Sequence, residues 1–389
     1  MPALNPALLL LLAGAAGLPA QRPPAATSFE ELSAQADRAR EANRLEEAVS
    51  LYRKALALNP KWEDGWWYIG SIAYDQDRWP ECVPAFRHLS DLKPDLAAAW
   101  TMKGLCEYRL RQIDAALDSL QHAERLEFRE NTELSRTARL HLALLLIKKG
   151  SFERAIVLLT ELTRIDKKTP EIVMLSGVAG LRQPWLPSEV PEAERDKVLK
   201  LGDAMAAAME QDTSGAIAKF EAVAAEYPND ANVHFRYGAF LRLNDVQRGI
   251  AEIKRAVQID PVHVPALVGL AMIYLKNGEP QSAREFAERA VKAGPADFAS
   301  HIALGRALLD LDDAPGAARE LETAVKLAPD SPDARFSLAA AYARLGRKTD
   351  ADRENAVFKQ LKSGQAPPAA APKPKPARPP QNRPAAPNR

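Results

Sequence analysis

Residues 266–295 read ALVGLAMIYLKNGEPQSAREFAERAVKAGP. Leu267, Leu270, Ala271 and Tyr274 fall at i, i+3, i+4 and i+7, which is one face of a helix. Gly278 ends that helix, because glycine readily takes the left-handed conformation that closes one. A second helix follows, with Ala283 and Ala290 as small residues that let its partner approach. Pro295 has no N–H and cannot extend it. The stretch predicts two short helices folded against each other.

The same pattern recurs at a fixed step. Pro60 and Pro94 are 34 residues apart, as are Pro261, Pro295 and Pro329. Gly70 and Gly104 keep that step, as do Ala271, Gly305 and Ala339, and Ala283, Ala317 and Ala351. A period of this length marks stacked supersecondary units. Trp66, Ile69-Gly70, Ala73, Phe86 and Pro94 in one copy, and Leu304-Gly305, Leu308, Ala317, Leu321, Ala324 and Pro329 in another, resemble the tetratricopeptide repeat. The resemblance covers most of residues 29–362. It implies an all-α fold, a right-handed α-α superhelix (solenoid) of about nine antiparallel helix pairs with a concave inner groove.

In order, residues 1–20 carry a short apolar run followed by small residues, which reads as a secretory signal cleaved after Ala20. This leader lacks Lys and Arg, and no cysteine follows it to take a lipid. Residues 21–28 are a Pro/Ala linker. A first array spans 29–167, with a loop at Arg129–Ser135 after Phe128 has replaced a closing proline. Residues 168–194 are irregular. Pro170–Leu181 resembles a first helix, but its expected partner is displaced by RQPWLPSEVPEAE at 182–194, where Pro184, Pro187 and Pro191 forbid a continuous helix. A second array runs from 195 to 362, beginning with a new pair near Arg195 and ending in a charged capping helix, Thr349–Lys362. Residues 363–389 are Pro/Ala-rich and basic, with Lys373, Lys375, Arg378, Arg383 and Arg389 and no acid, a composition that predicts disorder.

Composition excludes more than it assigns. Lys+Arg number 52 against 51 Asp+Glu, so no excess charge points to nucleic acid. There is no phosphate-binding glycine loop and no HExxH or CxxC spacing, so no metal, cofactor or catalytic residue is nominated. His234 and His301 take the fourth, core-facing place of their units. Cys82 sits in a small core slot and Cys106 on the next first helix, and the sequence leaves open whether they pair.

Binding residues follow from the repeat frame. On a first helix the fourth, seventh, eighth and eleventh positions face the core. The second, fifth, ninth, twelfth and thirteenth are expected to face roughly the other way. Apolar residues there are not explained by packing within their own pair, and the family resemblance places them on the concave groove. In the first array this set includes Trp67, Tyr74, Thr101, Leu105, Tyr108 and Arg109. In the second it gives Phe235, Arg242, Val268, Met272, Leu275, Ile302, Arg306, Leu309, Phe336 and Arg344. Aromatic and arginine side chains are common interface anchors, so the set predicts a groove for a protein or peptide ligand. The competing reading is that neighbouring helices cover these residues. Trp66 and Trp100, at fourth positions, are expected in the core. The lysine and asparagine places by which some tetratricopeptide domains hold a terminal carboxylate are Trp67, Ser71, Thr101 and Leu105 here, so that binding mode is not expected.

The leading expectation is a non-enzymatic, secreted or periplasmic scaffold that binds proteins. Two alternatives remain: weak tethering to an envelope polymer or membrane surface through the basic tail, and an enzyme with residues 182–194 as a lid beside Trp185.

Overall fold

The computed structural model describes residues 28–126 and 133–363. The leader, most of the linker, Phe128 with part of the loop after it, and the tail beyond Ser363 lie outside the described residues. The chain divides into two compact units at Leu145/Leu146. The first holds α1 (Phe29–Glu41), α2 (Leu45–Leu58), α3 (Glu63–Asp75), α4 (Trp79–Leu92), α5 (Ala97–Arg109) and α6 (Ile113–Arg125), and α7 (Glu133–Lys148) runs across the division. The second holds α8 (Phe152–Asp166), α9 (Pro170–Gly180), a single 3-10 turn (Pro187–Glu189), α10 (Glu192–Met209), α11 (Thr213–Glu226), α12 (Ala231–Leu241), α13 (Val246–Ile259), α14 (Val264–Lys276), α15 (Pro280–Ala293), α16 (Phe298–Asp310), α17 (Ala314–Leu327), α18 (Pro332–Arg344) and α19 (Lys348–Lys362). Within each unit consecutive helices pack as antiparallel pairs, the arrangement expected of a tetratricopeptide solenoid. Among the described residues no helix is long and apolar enough to cross a membrane.

Local chemistry sets the repeat. Ser28 and Glu31 form a capping box that starts α1. Most turns within a pair use one left-handed residue. Gly278 and Gly346 supply it at φ +75° and +73°, and Asn43, Asp77, Arg111 and Asp312 adopt it at equivalent places. The closing prolines do more than stop a helix, because their carbonyls are bonded by side chains. The indole N–H of Trp66 donates to Pro60 at 2.9 Å and that of Trp100 to Pro94 at 3.0 Å. His234 Nε2 reaches Pro228, His301 Nε2 reaches Pro295, and Arg335 Nε reaches Pro329. All five occupy the fourth position. Where that position is Leu267, Arg289 of α15 bonds the Pro261 carbonyl instead.

This corrects the expectation for the two tryptophans. Trp66 and Trp100 are half-buried, and each ring lies against a histidine of its second helix, His88 at 4.3 Å and His122 at 4.1 Å. His234 and His301 are buried, and each Nδ1 meets a second-helix carboxylate, Glu252 at 2.6 Å and Glu320 at 2.7 Å. The fourth position thus ties each first helix to the preceding turn and to its own partner. Cys82 of α4 and Cys106 of α5 are joined in a disulfide, with Cα atoms 6.1 Å apart, which settles the pairing.

The irregular stretch also needs correction. The partner of α9 is not lost, because α10 takes that role as well as packing on α11. Gly177 and Gly202 allow it: a Cβ on Gly177 would stand 1.9 Å from the Val198 carbonyl oxygen, and one on Gly202 would stand 2.0 Å from that of Val173. The two backbones are in direct contact. The intervening segment is packed, not open, since Leu186 and Val190 are buried and Lys148 pairs with Glu189 at 2.7 Å. That is a junction, not the polar pocket a lid would cover. It is fastened through Glu153 of α8, which accepts from Arg182 at 2.7 Å and from both terminal nitrogens of Arg236 on α12 at 3.0 and 2.9 Å. Burial opposes ionisation of Glu153, but the two guanidiniums prevail and hold its carboxyl below the usual range.

Beside this network His263 caps α14. Its Nδ1 accepts from the Ala266 N–H at 3.1 Å, so Nε2 carries the proton and donates to Asn232 Oδ1 at 3.1 Å. Burial, with help from Arg182 and Arg236 and against Asp260, pushes this imidazole down to about 4. An unfolded histidine titrates near 6.5. The unfolded chain therefore binds this proton first on acidification. The stabilisation is complete above about pH 6.5 and is lost as pH falls toward 4, amounting to about 3 kcal/mol. Unfolding of the full chain in urea at pH 7.5 and at pH 4.5 should show this loss. His263→Asn, which keeps a capping oxygen, should flatten the dependence by that amount.

Candidate functional site

The ninth, twelfth and thirteenth positions of three successive first helices converge in the second unit. Met272, Leu275 and Lys276 come from α14, Arg306, Leu309 and Asp310 from α16, and Ala340 and Arg344 from α18. They line an open cleft of ≈ 430 Å³. Met272, Leu275, Leu309 and Ala340 make its floor, and the charged groups form its rim. Arg306 Nε donates to Ser337 Oγ at 3.0 Å, and Arg344 donates to the Leu309 carbonyl. Each arginine is thereby fixed by one edge of its guanidinium.

The structure separates this group from the other expected groove residues. Phe235, Ile302 and Thr101 are buried, as members of the core and not of a free surface. All three are fifth positions. At about 100° per residue, the fifth position stands only about 110° from the centre of the core face and the twelfth about 90°, whereas the ninth and thirteenth stand about 150–170° away. A fifth-position side chain therefore points sideways, at the next first helix. Val268, also a fifth position, is half-buried against the same cores. Phe336 is the exception, 52% exposed, with the Phe358 ring of α19 beside it at 5.3 Å. No further first helix follows α18 among the described residues to cover it. Arg242 is exposed and does not line the cleft.

In the first unit the expected patch is largely filled from within. Trp67 lies edge-on to Phe86 at 5.5 Å, and Tyr74 edge-on to Trp79 at 5.1 Å. Leu105 is buried in a cluster that Leu134 of α7 packs against, and Tyr108 meets His141 of α7 at 5.1 Å. Burial pushes the His141 imidazole down. Arg109 remains exposed, 5.1 Å over the Trp79 ring. For this helix the neighbour-packing reading holds, because α7 covers the face that would have been open.

A second cleft was missed by the sequence reading. Met205, Ala208 and Met209 of α10, Ala239, Phe240 and Leu243 at the end of α12, and Ile156 and Thr160 of α8 line a mostly apolar depression of ≈ 390 Å³. Its signal was present: with Ala204 as an eighth position, Met205 and Met209 are a ninth and a thirteenth. Among the described residues no group of His, Cys, Asp and Glu is arranged to hold a metal.

Two family models match the chain. The middle tetratricopeptide-like domain of cilia and flagella-associated protein 70 matches residues 203–363. The tetratricopeptide repeat matches residues 33–88 and 101–170. No curated protein matches. Among solved structures, the chain is similar to the MamA RS-1 ArsTM double mutant, with 20% identity over 42% of this chain and 93% of that one and a TM-score of 0.38. It is also similar to MamA residues 41 to the end from Desulfovibrio magneticus RS-1, with 21% identity over 43% and 95% and a TM-score of 0.38.

Proposed function

We propose that this chain, a tetratricopeptide-repeat protein, is a non-enzymatic scaffold whose first helices in the second unit hold a partner's peptide or helix in the cell envelope. The observation that carries this reading is the cleft across α14, α16 and α18, where half-buried Met272, Leu275 and Ala340, over buried Leu309, meet a charged rim. Small apolar clefts with a few fixed polar groups are the usual form of peptide and ligand sites. Phe336, a fifth position with no following first helix over it, adds exposed apolar surface to the side of that face. The envelope location rests on the leader-like residues 1–20 and on the Cys82–Cys106 disulfide, a bond that persists in oxidising compartments.

Cross-linking mass spectrometry on the native envelope fraction tests both parts. Cross-links from one partner should cluster at Lys276 and around α16 and α18, and Met272→Ser with Phe336→Ser should abolish them while far-UV circular dichroism stays unchanged. Cross-links confined to other helices would remove the groove from the function. The mature protein should begin at Gln21, and an intact leader on cytoplasmic protein would remove the location.

A further inference from the structure

We propose that the α14/α16/α18 cleft is selective for an acidic–aliphatic segment, in which apolar side chains fill the floor and neighbouring Asp or Glu side chains meet the rim. This rests on the groove reading above and names its ligand chemistry. The rim holds three cations, Lys276, Arg306 and Arg344, against one carboxylate, Asp310. Among the described residues Lys276 makes no ion pair and is exposed. The nearest carboxylate to Arg306 is Asp333 at 3.9 Å, beyond a good hydrogen bond. Arg344 reaches Asp312 at 3.5 Å, but that acid is 97% exposed. The cations are therefore poorly neutralised by the fold. Their remaining donors are open to an anionic ligand.

The arginines are also prepared for that event. Ser337 takes the Nε of Arg306, and the Leu309 carbonyl takes one terminal nitrogen of Arg344. Each tether restricts the side chain and leaves other N–H groups uncommitted. A planar donor fork held in place matches a carboxylate and loses little entropy on binding it. The floor chooses the second feature of the ligand. Met272 and Leu275 present flexible apolar surface with no polar atom to reward a polar side chain. A purely acidic ligand would leave that floor wet, and a purely apolar one would leave three cations unanswered. A basic segment would meet like charge.

Fluorescence anisotropy with the full chain tests this on three synthetic dodecapeptides, amidated at the C-terminus. They share one leucine spacing and carry Glu, Gln or Lys at every other position. The Glu peptide should bind about tenfold more tightly than the Gln peptide in 50 mM salt, with the gap closing in 500 mM salt and the Lys peptide not binding. Lys276→Glu changes an exposed side chain and should not disturb folding. It should weaken the Glu peptide by about fivefold or more and leave the Gln peptide unchanged. Arg306→Gln and Arg344→Gln should act in the same direction. Met272→Ser should weaken Glu and Gln peptides alike. Equal binding of Glu and Gln peptides, both sensitive to Met272→Ser, would overturn the acid preference and leave the groove standing. Binding insensitive to both Lys276→Glu and Met272→Ser, or no binding at all, would overturn the proposal and the groove together. A Glu peptide that gains only when its C-terminus is a free acid would overturn side-chain recognition in favour of a terminal carboxylate.

Discussion

Gly202→Ala should destabilise the second unit by about 3 kcal/mol, although alanine is the better helix former by about 1 kcal/mol. Both effects act at one residue, and the magnitudes decide the sign. Gly202 lies inside α10, where local propensity alone would reward the added methyl. The methyl would sit 2.0 Å from the Val173 carbonyl oxygen and 3.0 Å from the Gly177 backbone nitrogen. Neither neighbour is a side chain that can rotate away. Relief requires α9 and α10 to separate, which opens a contact that buries Leu175, Val178, Val198 and Leu201. Gly269→Ala is the internal control. It too lies inside a helix, but its added methyl would find nothing nearer than the Phe235 ring at 3.8 Å, ordinary contact. That change should stabilise by up to about 1 kcal/mol. Urea unfolding followed by circular dichroism measures both, and Trp185, the sole tryptophan in the second unit, reports on the junction itself. Equal and small effects from the two substitutions would mean the α9–α10 backbones are not in contact.

The repeat was legible because its period is written in residues with single steric jobs. Gly278 could be assigned a left-handed turn, and Pro261, Pro295 and Pro329 their helix ends, without any knowledge of neighbours. What failed depended on partners distant in sequence. Pro170–Leu181 read as a first helix without its partner, and only the opposition of Gly177 to Gly202 shows that α10 serves two neighbours. Trp66 and Trp100 were assigned to the core by their fourth positions, yet an indole N–H needs an acceptor, and the Pro60 and Pro94 carbonyls hold both rings near the surface. The groove set was too wide for a geometric reason. Grouping fifth positions with ninth and thirteenth ones treated sideways residues as outward ones, which is why Phe235 and Ile302 are sealed while Met272 and Arg306 line a cleft. In the first unit the frame gave no sign that α7 would lie over Leu105 and Tyr108.

Glu153→Ala should cost about 3 kcal/mol, at the low end for breaking a buried ion pair. Glu153 keeps 62% of its side chain exposed, so water can enter the space it leaves. The cost arises on the other side. Arg236 is only 8% exposed and would lose both its carboxylate bonds, keeping a long contact from Nε to the Gly180 carbonyl at 3.4 Å. Burial and the charge of Arg236 already depress the guanidinium of Arg182. With the carboxylate gone, two arginines would face each other with only the charge of Asp297 acting on Arg182. Neither can shed its proton at any accessible pH, so the strain must be relieved by moving α12 or the junction. Glu288→Ala supplies the contrast, because its bond to Arg284 is as short, 2.6 Å, yet both side chains are about half exposed. That change should cost less than about 1 kcal/mol and fade in high salt. The double change Glu153→Ala with Arg236→Met should recover most of the loss, since it removes the stranded cation and refills the volume with apolar atoms. Denaturant titration of the single and double variants separates the two accounts. Failure of Arg236→Met to restore stability would mean that Glu153 acts by packing alone and that the cation beside it was never costly to bury.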